Sequence, residues 1–200
     1  MRLVIDGLAS IRSGRPVFSG LGLVLEAGEA LAIMGPNGAG KSSLLRIVAG
    51  LLPASEGRIQ LEGGDVDTPL AEEAHYLGHR DALKPSLTPL ETLGFWQSLL
   101  GRPLETPQKA LEQVGLGHTA NLPSAYLSAG QKRRLALARL LIAHRPLWLL
   151  DEPTSALDAA SEVMFNGLVM AHLASGGMVM AATHAPLGFA CRTFTLGGRS

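Results

Sequence analysis

The stretch Gly35-Pro36-Asn37-Gly38-Ala39-Gly40-Lys41-Ser42-Ser43 decides how this chain is read, because it matches G-x-x-x-x-G-K-[ST] at every fixed position. Before it lies the short apolar run Ala30-Leu31-Ala32-Ile33-Met34, the pattern of a buried parallel strand. After it, Leu44-Leu45-Arg46-Ile47-Val48-Ala49 has helical spacing. Gly35, Gly38 and Gly40 let the backbone turn tightly with its N–H groups inward, so the loop and the following helix terminus can bind an anionic phosphate chain. In such an exposed loop Lys41 reaches the β and γ phosphates as a point charge, and the Ser42 hydroxyl ligates Mg²⁺. The plain alternative is a glycine-rich turn before an ordinary helix. The coincidence of strand, loop, Lys and Ser speaks against it.

Working outward, 200 residues with 46% hydrophobic content suit one domain with a substantial core. Lys plus Arg and Asp plus Glu number 17 each, so no overall basic field points to nucleic acid. Cys191 is the only cysteine, which excludes an intrachain disulfide and a cysteine-based zinc site. No apolar run reaches the roughly 18 residues of a membrane span, and the first twenty residues lack the apolar core of a leader. The expectation is a chain that neither crosses a membrane nor is exported.

Leu3 to Ile11 and Val17 to Leu25 read as strands separated by the turn Ser13-Gly14-Arg15-Pro16, an antiparallel β-layer leading into an α/β core. The helix after Lys41 ends near Gly50, Arg58 to Leu61 is a short strand, and Ala74 to Gly78 is another. From His79 to Thr88 periodicity is lost. Thr88-Pro89-Leu90-Glu91 is a capping box with Pro at the first helical position, starting a helix to about Leu100. Further helical pieces are expected from Thr106 to Val114, near His118, and from Lys132 to Ala143. Residues from about 88 to 145 thus read as a helical subdomain inserted in one domain spanning 1–200.

Leu147-Trp148-Leu149-Leu150 is an apolar strand ending in Asp151-Glu152-Pro153. Asp151 suits Mg²⁺, held through water, and Glu152 suits a general base that polarises the attacking water. Leu127-Ser128-Ala129-Gly130-Gln131 opens the helix behind it, with Ser128 and Gln131 as a second capping box. The order phosphate loop, this motif, then the Asp-Glu strand resembles the ATP-binding cassette family, whose signature is usually L-S-G-G-Q. Ser155-Ala156-Leu157-Asp158 falls at the family's D-loop, and His184, after Met178-Val179-Met180-Ala181-Ala182, falls at its switch histidine. The resemblance covers nearly the whole chain. It implies an α/β P-loop NTPase of cassette type, with ATP and Mg²⁺ bound by residues 35–43 and Asp151. It also implies a head-to-tail homodimer in which Ser128, Gly130 and Gln131 face the γ-phosphate held by the second ATP-binding subunit. His184 would hydrogen-bond the γ-phosphate and sense its loss.

The departures matter. Ala129 replaces a signature glycine, His79 stands where the family has a glutamine, and Arg12 stands near the position of the adenine-stacking aromatic. Imidazole can donate or accept a hydrogen bond, and a guanidinium plane can stack on a base. Tyr76-Leu77-Gly78-His79, the continuation Gln131 to Leu140, and Thr183-His184-Ala185-Pro186-Leu187 resemble the cassette subunits of cytochrome c biogenesis exporters. That resemblance implies a peripheral ATPase at the cytoplasmic face of the inner membrane, coupled to multispanning subunits of the CcmB and CcmC kind. It would power haem export or release of a haem chaperone, with no direct haem ligation. The alternatives are the ATP-binding subunit of a different importer or exporter, or a soluble cassette ATPase without a transport role. The latter lacks support, since neither a coiled-coil insertion nor a second cassette is present.

Overall fold

The computed structural model describes residues 1–12, 14–65 and 67–197, and these divide into two compact units, one drawn from 1–78, 146–153 and 169–197 and the other from 79–145 and 154–168. The first unit holds both sheets. Strand β1 (Arg2–Arg12) lies between β2 (Arg15–Glu26) and β4 (Glu56–Glu62), antiparallel to each. Strands β5 (Ala74–Leu77), β6 (Leu147–Asp151), β7 (Met178–Ala182), β3 (Ala30–Met34) and β8 (Arg192–Thr195) follow in that spatial order in a wholly parallel sheet. The central runs β6 and β7 are buried at every residue, which is why they carry no polar alternation. Leu3, Leu25, Leu31, Ile33, Leu44, Leu45, Leu147, Leu149, Met178 and Met180 belong to one core cluster joining both sheets to helix α1 (Lys41–Val48).

The antiparallel layer and the parallel core agree with the α/β fold class expected from the sequence. Arg15 and Pro16, expected in the turn, instead begin β2, because Pro16 sits opposite Ile11 in register and the tight reversal falls at Gly14, φ 73°. Ser13, the remaining residue of that turn, lies outside the described residues. Gly78, expected to close a strand, lies just past β5.

The second unit is helical. Helix α2 (Pro89–Leu100) starts in the expected capping box, with the Glu91 N–H donating to Thr88 Oγ1 at 3.2 Å and the Thr88 N–H to Glu91 Oε2 at 2.9 Å. Helix α3 (Pro107–Gln113) is capped by Thr106, and Gly117–Thr119 forms a single 3₁₀ turn where the short helix near His118 was expected. Helix α4 (Ala129–Ala138) begins and ends earlier than the Lys132 to Ala143 expected from periodicity. Its start is set by the Ser128 cap, and past Ala138 the N–H groups of Arg139, Leu140 and Leu141 turn to carbonyls three residues back. Arg139, at that end, stacks its guanidinium 3.9 Å over Trp96 and is held down to a pKa of about 10, chiefly by burial, with Asp81 opposing. Helix α5 (Ala159–Ala174) precedes β7. No helix among the described residues is long and apolar enough to cross a membrane.

Candidate functional site

In an open parallel sheet, ligands gather where strands end and helices begin. Here β6, β7 and β3 are neighbours, so the residues following their carboxyl ends converge: Asp151 and Glu152, Thr183 and His184, and the loop opening at Gly35. Gly35 has φ 140°, and a side chain there would overlap the Leu196 carbonyl oxygen. Gly40, φ 100°, precedes α1, and Val17 and Phe18 occupy the space a Cβ would need. Glycine is therefore demanded at both positions by backbone angle and by contact.

Pro36, Asn37 and Gly38 are exposed, Ala39 is half-buried and Ser43 is buried. Lys41, expected on an exposed loop, is only 8% exposed. Its ammonium is folded into the loop and donates to the carbonyls of Gly35, 2.7 Å, and Pro36, 3.2 Å, and the Ala39 N–H donates to the Pro36 carbonyl at 3.2 Å. The loop is thus a closed ring of backbone with a cation fastened inside it. Such a ring, at a helix terminus, suits a polyphosphate.

The Ser42 hydroxyl donates to Asp151 Oδ1 at 2.9 Å, and Asp151 is 3% exposed. A serine hydroxyl and a buried carboxylate are hard oxygen donors, the set that fits Mg²⁺, which keeps several waters and takes few protein ligands beside substrate phosphates. No group of three or more His, Cys, Asp or Glu among the described residues could hold a metal alone. Spacing did not mark two further members of this cluster. The Tyr76 hydroxyl lies 3.5 Å from Asp151 Oδ2 and accepts from Arg46 Nε at 3.1 Å. Burial raises the Tyr76 pKa above the ordinary phenol value, against the Arg46 hydrogen bond that lowers it, so the hydroxyl stays protonated.

Glu152 adopts φ 49°, a left-handed conformation that costs a non-glycine residue roughly 1–2 kcal/mol. Its N–H is held by the Ala182 carbonyl of β7 at 2.9 Å. The kink takes the side chain out of strand alternation and sets Oε1 3.2 Å from His184 Nε2. His184 is presented by a tight turn in which Thr183 Oγ1 accepts from the Ala185 N–H at 3.1 Å and donates to its carbonyl at 3.0 Å. The two side chains are 27% and 50% exposed, accessible enough to meet water and substrate. A carboxylate beside an imidazole can accept a proton from water and keep its orientation.

Arg12 lies exposed at the end of β1, in register with Arg15. Val17 and Phe18, not Arg12, reach Gly40, a relation visible only once the sheet is folded. The second unit holds His79, exposed, and the start of α4. There Ser128 Oγ accepts from the Gln131 N–H at 3.2 Å while Gln131 Oε1 accepts from the Ser128 N–H at 2.9 Å, which leaves the serine proton to donate outward. The backbone at Gly130 lies close to the Ala156 carbonyl, where a Cβ would come within 3.3 Å and the neighbour would have to give way by a few tenths of an ångström. Asp81 ties the loop after His79 to α4 through Arg133, at 3.1 Å, with Arg133 only 2% exposed.

Comparison with known proteins agrees with this geometry. The family model described as ABC transporter matches residues 18–155. A protein of Rhodopseudomonas palustris (strain BisB18) named "Cytochrome c biogenesis ATP-binding export protein CcmA" is 61% identical over 198 residues, 99% of each chain. One of the same name from Nitrobacter winogradskyi is 58% identical over 198 residues, again 99% of each. Among solved structures, a putative ABC transporter ATP-binding protein of Pyrococcus furiosus superposes with a TM-score of 0.84 over 98% of both chains at 24% identity. The ADP conformation of another ABC transporter cassette gives 0.77 over 93% of this chain and 82% of its own, at 22% identity. With the phosphate loop, the Asp-Glu pair and His184 gathered at the carboxyl ends of β3, β6 and β7, and with relatives alike over their full length, this chain belongs to the ABC transporter ATP-binding family, in the group of cytochrome c biogenesis export proteins.

Proposed function

We propose that this chain hydrolyses ATP to drive an exporter serving cytochrome c biogenesis, acting as one cassette over residues 1–200 with the helical region from about 88 to 145 as its inserted subdomain. The observation that carries the reading is the gathering of Lys41, Ser42, Asp151, Glu152 and His184 at the carboxyl ends of β3, β6 and β7. Residues 35–43 hold the phosphates, with Lys41 exchanging its contacts to Gly35 and Pro36 for phosphate oxygens. Ser42 and Asp151 would hold Mg²⁺, which would supply charge neutralisation to the phosphates. Glu152 accepts the proton of the attacking water as its oxygen bonds to the γ-phosphorus and the bond to the ADP oxygen breaks. His184, beside it, orients the carboxylate and meets the γ-phosphate.

The same reading makes the functional unit a head-to-tail homodimer, with Ser128, Gly130 and Gln131 of each copy serving the phosphate held by the other. Arg12 serves the nucleotide base, and His79 takes the place of the family's glutamine near the metal. The multispanning subunits, of the CcmB and CcmC kind, supply the membrane path, and the cassette lies peripherally on the cytoplasmic face. Its work is haem export or release of a haem chaperone. In the second unit a cavity of about 360 Å³ is lined by Arg80, Asp81, Leu83, Pro85, Ser124 and Lys132, a surface suited to a partner's cytoplasmic helix.

The deciding experiment replaces the only genomic copy by Lys41→Ala and measures covalent haem in periplasmic c-type cytochromes. Loss of maturation, with the protein still present and still co-purifying with a multispanning subunit, supports the reading. Normal maturation refutes the cytochrome c assignment. Lys84→Glu, exposed in the segment between β5 and α2 and next to Leu83 of that cavity, should uncouple maturation and weaken co-purification while basal ATP turnover stays intact.

A further inference from the structure

Three side chains from two elements close a polar brace around Asp151. Ser42 and Arg46 stand one turn apart on α1 and so share a face. Tyr76 is in register with Leu149, two residues before Asp151, which puts Tyr76 and Asp151 on the same face of neighbouring parallel strands. Arg46 Nε can only donate, so it fixes the Tyr76 oxygen as acceptor at 3.1 Å and turns the phenol proton toward Asp151 Oδ2, 3.5 Å away. Ser42 donates to the other oxygen, Oδ1, at 2.9 Å. The carboxylate thus faces a donor at each oxygen, Ser42 close at Oδ1 and the Tyr76 hydroxyl more loosely at Oδ2, and turning about its terminal bond would carry both oxygens off these donors.

We propose that Arg46 and Tyr76 are positioning residues for the Mg²⁺ site, holding the Asp151 carboxylate in the plane in which it and Ser42 present oxygen to the ion. The inference rests on the ATPase reading above and adds two residues to it. Neither touches substrate. The phenol is an intermediary by design, since it passes on the orienting effect of Arg46 while keeping the guanidinium out of direct contact with Asp151 and its cation. The Tyr76 to Asp151 separation is long for a hydrogen bond, which leaves slack that binding of the ion would take up.

The test uses the full chain and Tyr76→Phe, which keeps the ring packing and removes only the hydroxyl. The Mg²⁺ concentration for half-maximal ATP hydrolysis should rise about tenfold, the lower end for loss of a group supporting a metal ligand. Mn²⁺ affinity of the ATP-loaded protein, read by electron paramagnetic resonance, should fall by the same factor. Affinity for a fluorescent ATP analogue in EDTA and the melting temperature should stay at wild-type values, which a merely structural role would not allow. Arg46→Gln should give the same shift, and the double variant no more than either single one, because both act through one contact. An unchanged Mg²⁺ and Mn²⁺ titration in Tyr76→Phe, an equal loss of nucleotide binding with and without metal, or additive shifts in the double variant would each overturn the brace. If Tyr76→Phe does not fold, Arg46→Gln decides by the same two titrations. Wild-type protein without Mg²⁺-dependent turnover would overturn the ATPase reading and the brace with it, whereas wild-type turnover beside an indifferent Tyr76→Phe removes the brace alone.

Discussion

Replacing Glu152 by Gln separates the chemistry from everything else this side chain does. The amide is nearly isosteric, its carbonyl oxygen can still accept from His184 Nε2 at the observed 3.2 Å, and the residue keeps the φ of 49°. Both side chains bear the same left-handed backbone cost, so folding stability should change by less than about 0.5 kcal/mol. What disappears is the capacity to take a proton from water. Loss of a general base costs roughly 10²–10⁴ in rate. That corresponds to about 2.7–5.5 kcal/mol in the barrier. The assay is phosphate release under saturating MgATP, with fluorescent nucleotide binding and size-exclusion chromatography in parallel. Turnover should fall by that factor, nucleotide affinity should hold within about twofold, and an ATP-dependent dimer should accumulate. Phosphate release within about threefold of wild type, less than 1 kcal/mol of barrier, would refute Glu152 as the base. A protein that stays monomeric at all ATP and Mg²⁺ concentrations would count against the head-to-tail dimer.

Further expectations concern the second unit and its pH response. Asp81→Asn should destabilise the fold by about 1.5–3 kcal/mol in denaturant unfolding, because it weakens a charged hydrogen bond of 3.1 Å to Arg133, which is only 2% exposed. An effect under about 1 kcal/mol would show that the pair behaves as a surface bridge. The Glu91 pKa is lowered first by the Thr88 backbone N–H and then by its hydroxyl, so its stabilisation is present above the ordinary carboxylate value and is lost as pH falls through the lowered folded one. Glu91→Gln should therefore be less stable than wild type at neutral pH and converge with it in acid, and parallel melting curves across pH would contradict this. If His79 serves the metal or the attacking water, His79→Ala should slow phosphate release, while His79→Gln, which restores the family's hydrogen-bonding amide, should keep it near wild type. Wild-type turnover in His79→Ala would remove His79 from the mechanism, with His184→Ala run alongside as the comparison.

Local chemistry made much of this protein readable from its sequence. A phosphate loop needs glycines, a lysine and a serine at fixed spacing, so residues 35–43 announce it wherever the chain goes next. Capping is equally local, and Thr88 with Glu91 and Ser128 with Gln131 set the starts of α2 and α4 within four residues each. Strands buried on both faces, such as Met178–Ala182, are plain apolar runs with no competing pattern. The end of α4 was not readable, because past Ala138 the residues stay as apolar as a helix while the backbone bonds change from four to three residues back.

Tertiary structure decided which distant residues share one site. That Tyr76 and Arg46 reach Asp151 depends on β5 lying beside β6 in one register, and on α1 turning the face of Ser42 toward both. That Phe18 rather than Arg12 lies against Gly40 depends on the irregular pairing of β1 with β2, where each shift in register moves a side chain to the other face. Lys41 offers the same lesson at short range. Its type declares a phosphate ligand, but only the folded loop shows that its ammonium rests on the carbonyls of Gly35 and Pro36, because those acceptors converge only after Gly35 and Gly40 have taken positive φ. Residue type and spacing determine what chemistry is available, while strand register and backbone angle determine which groups meet.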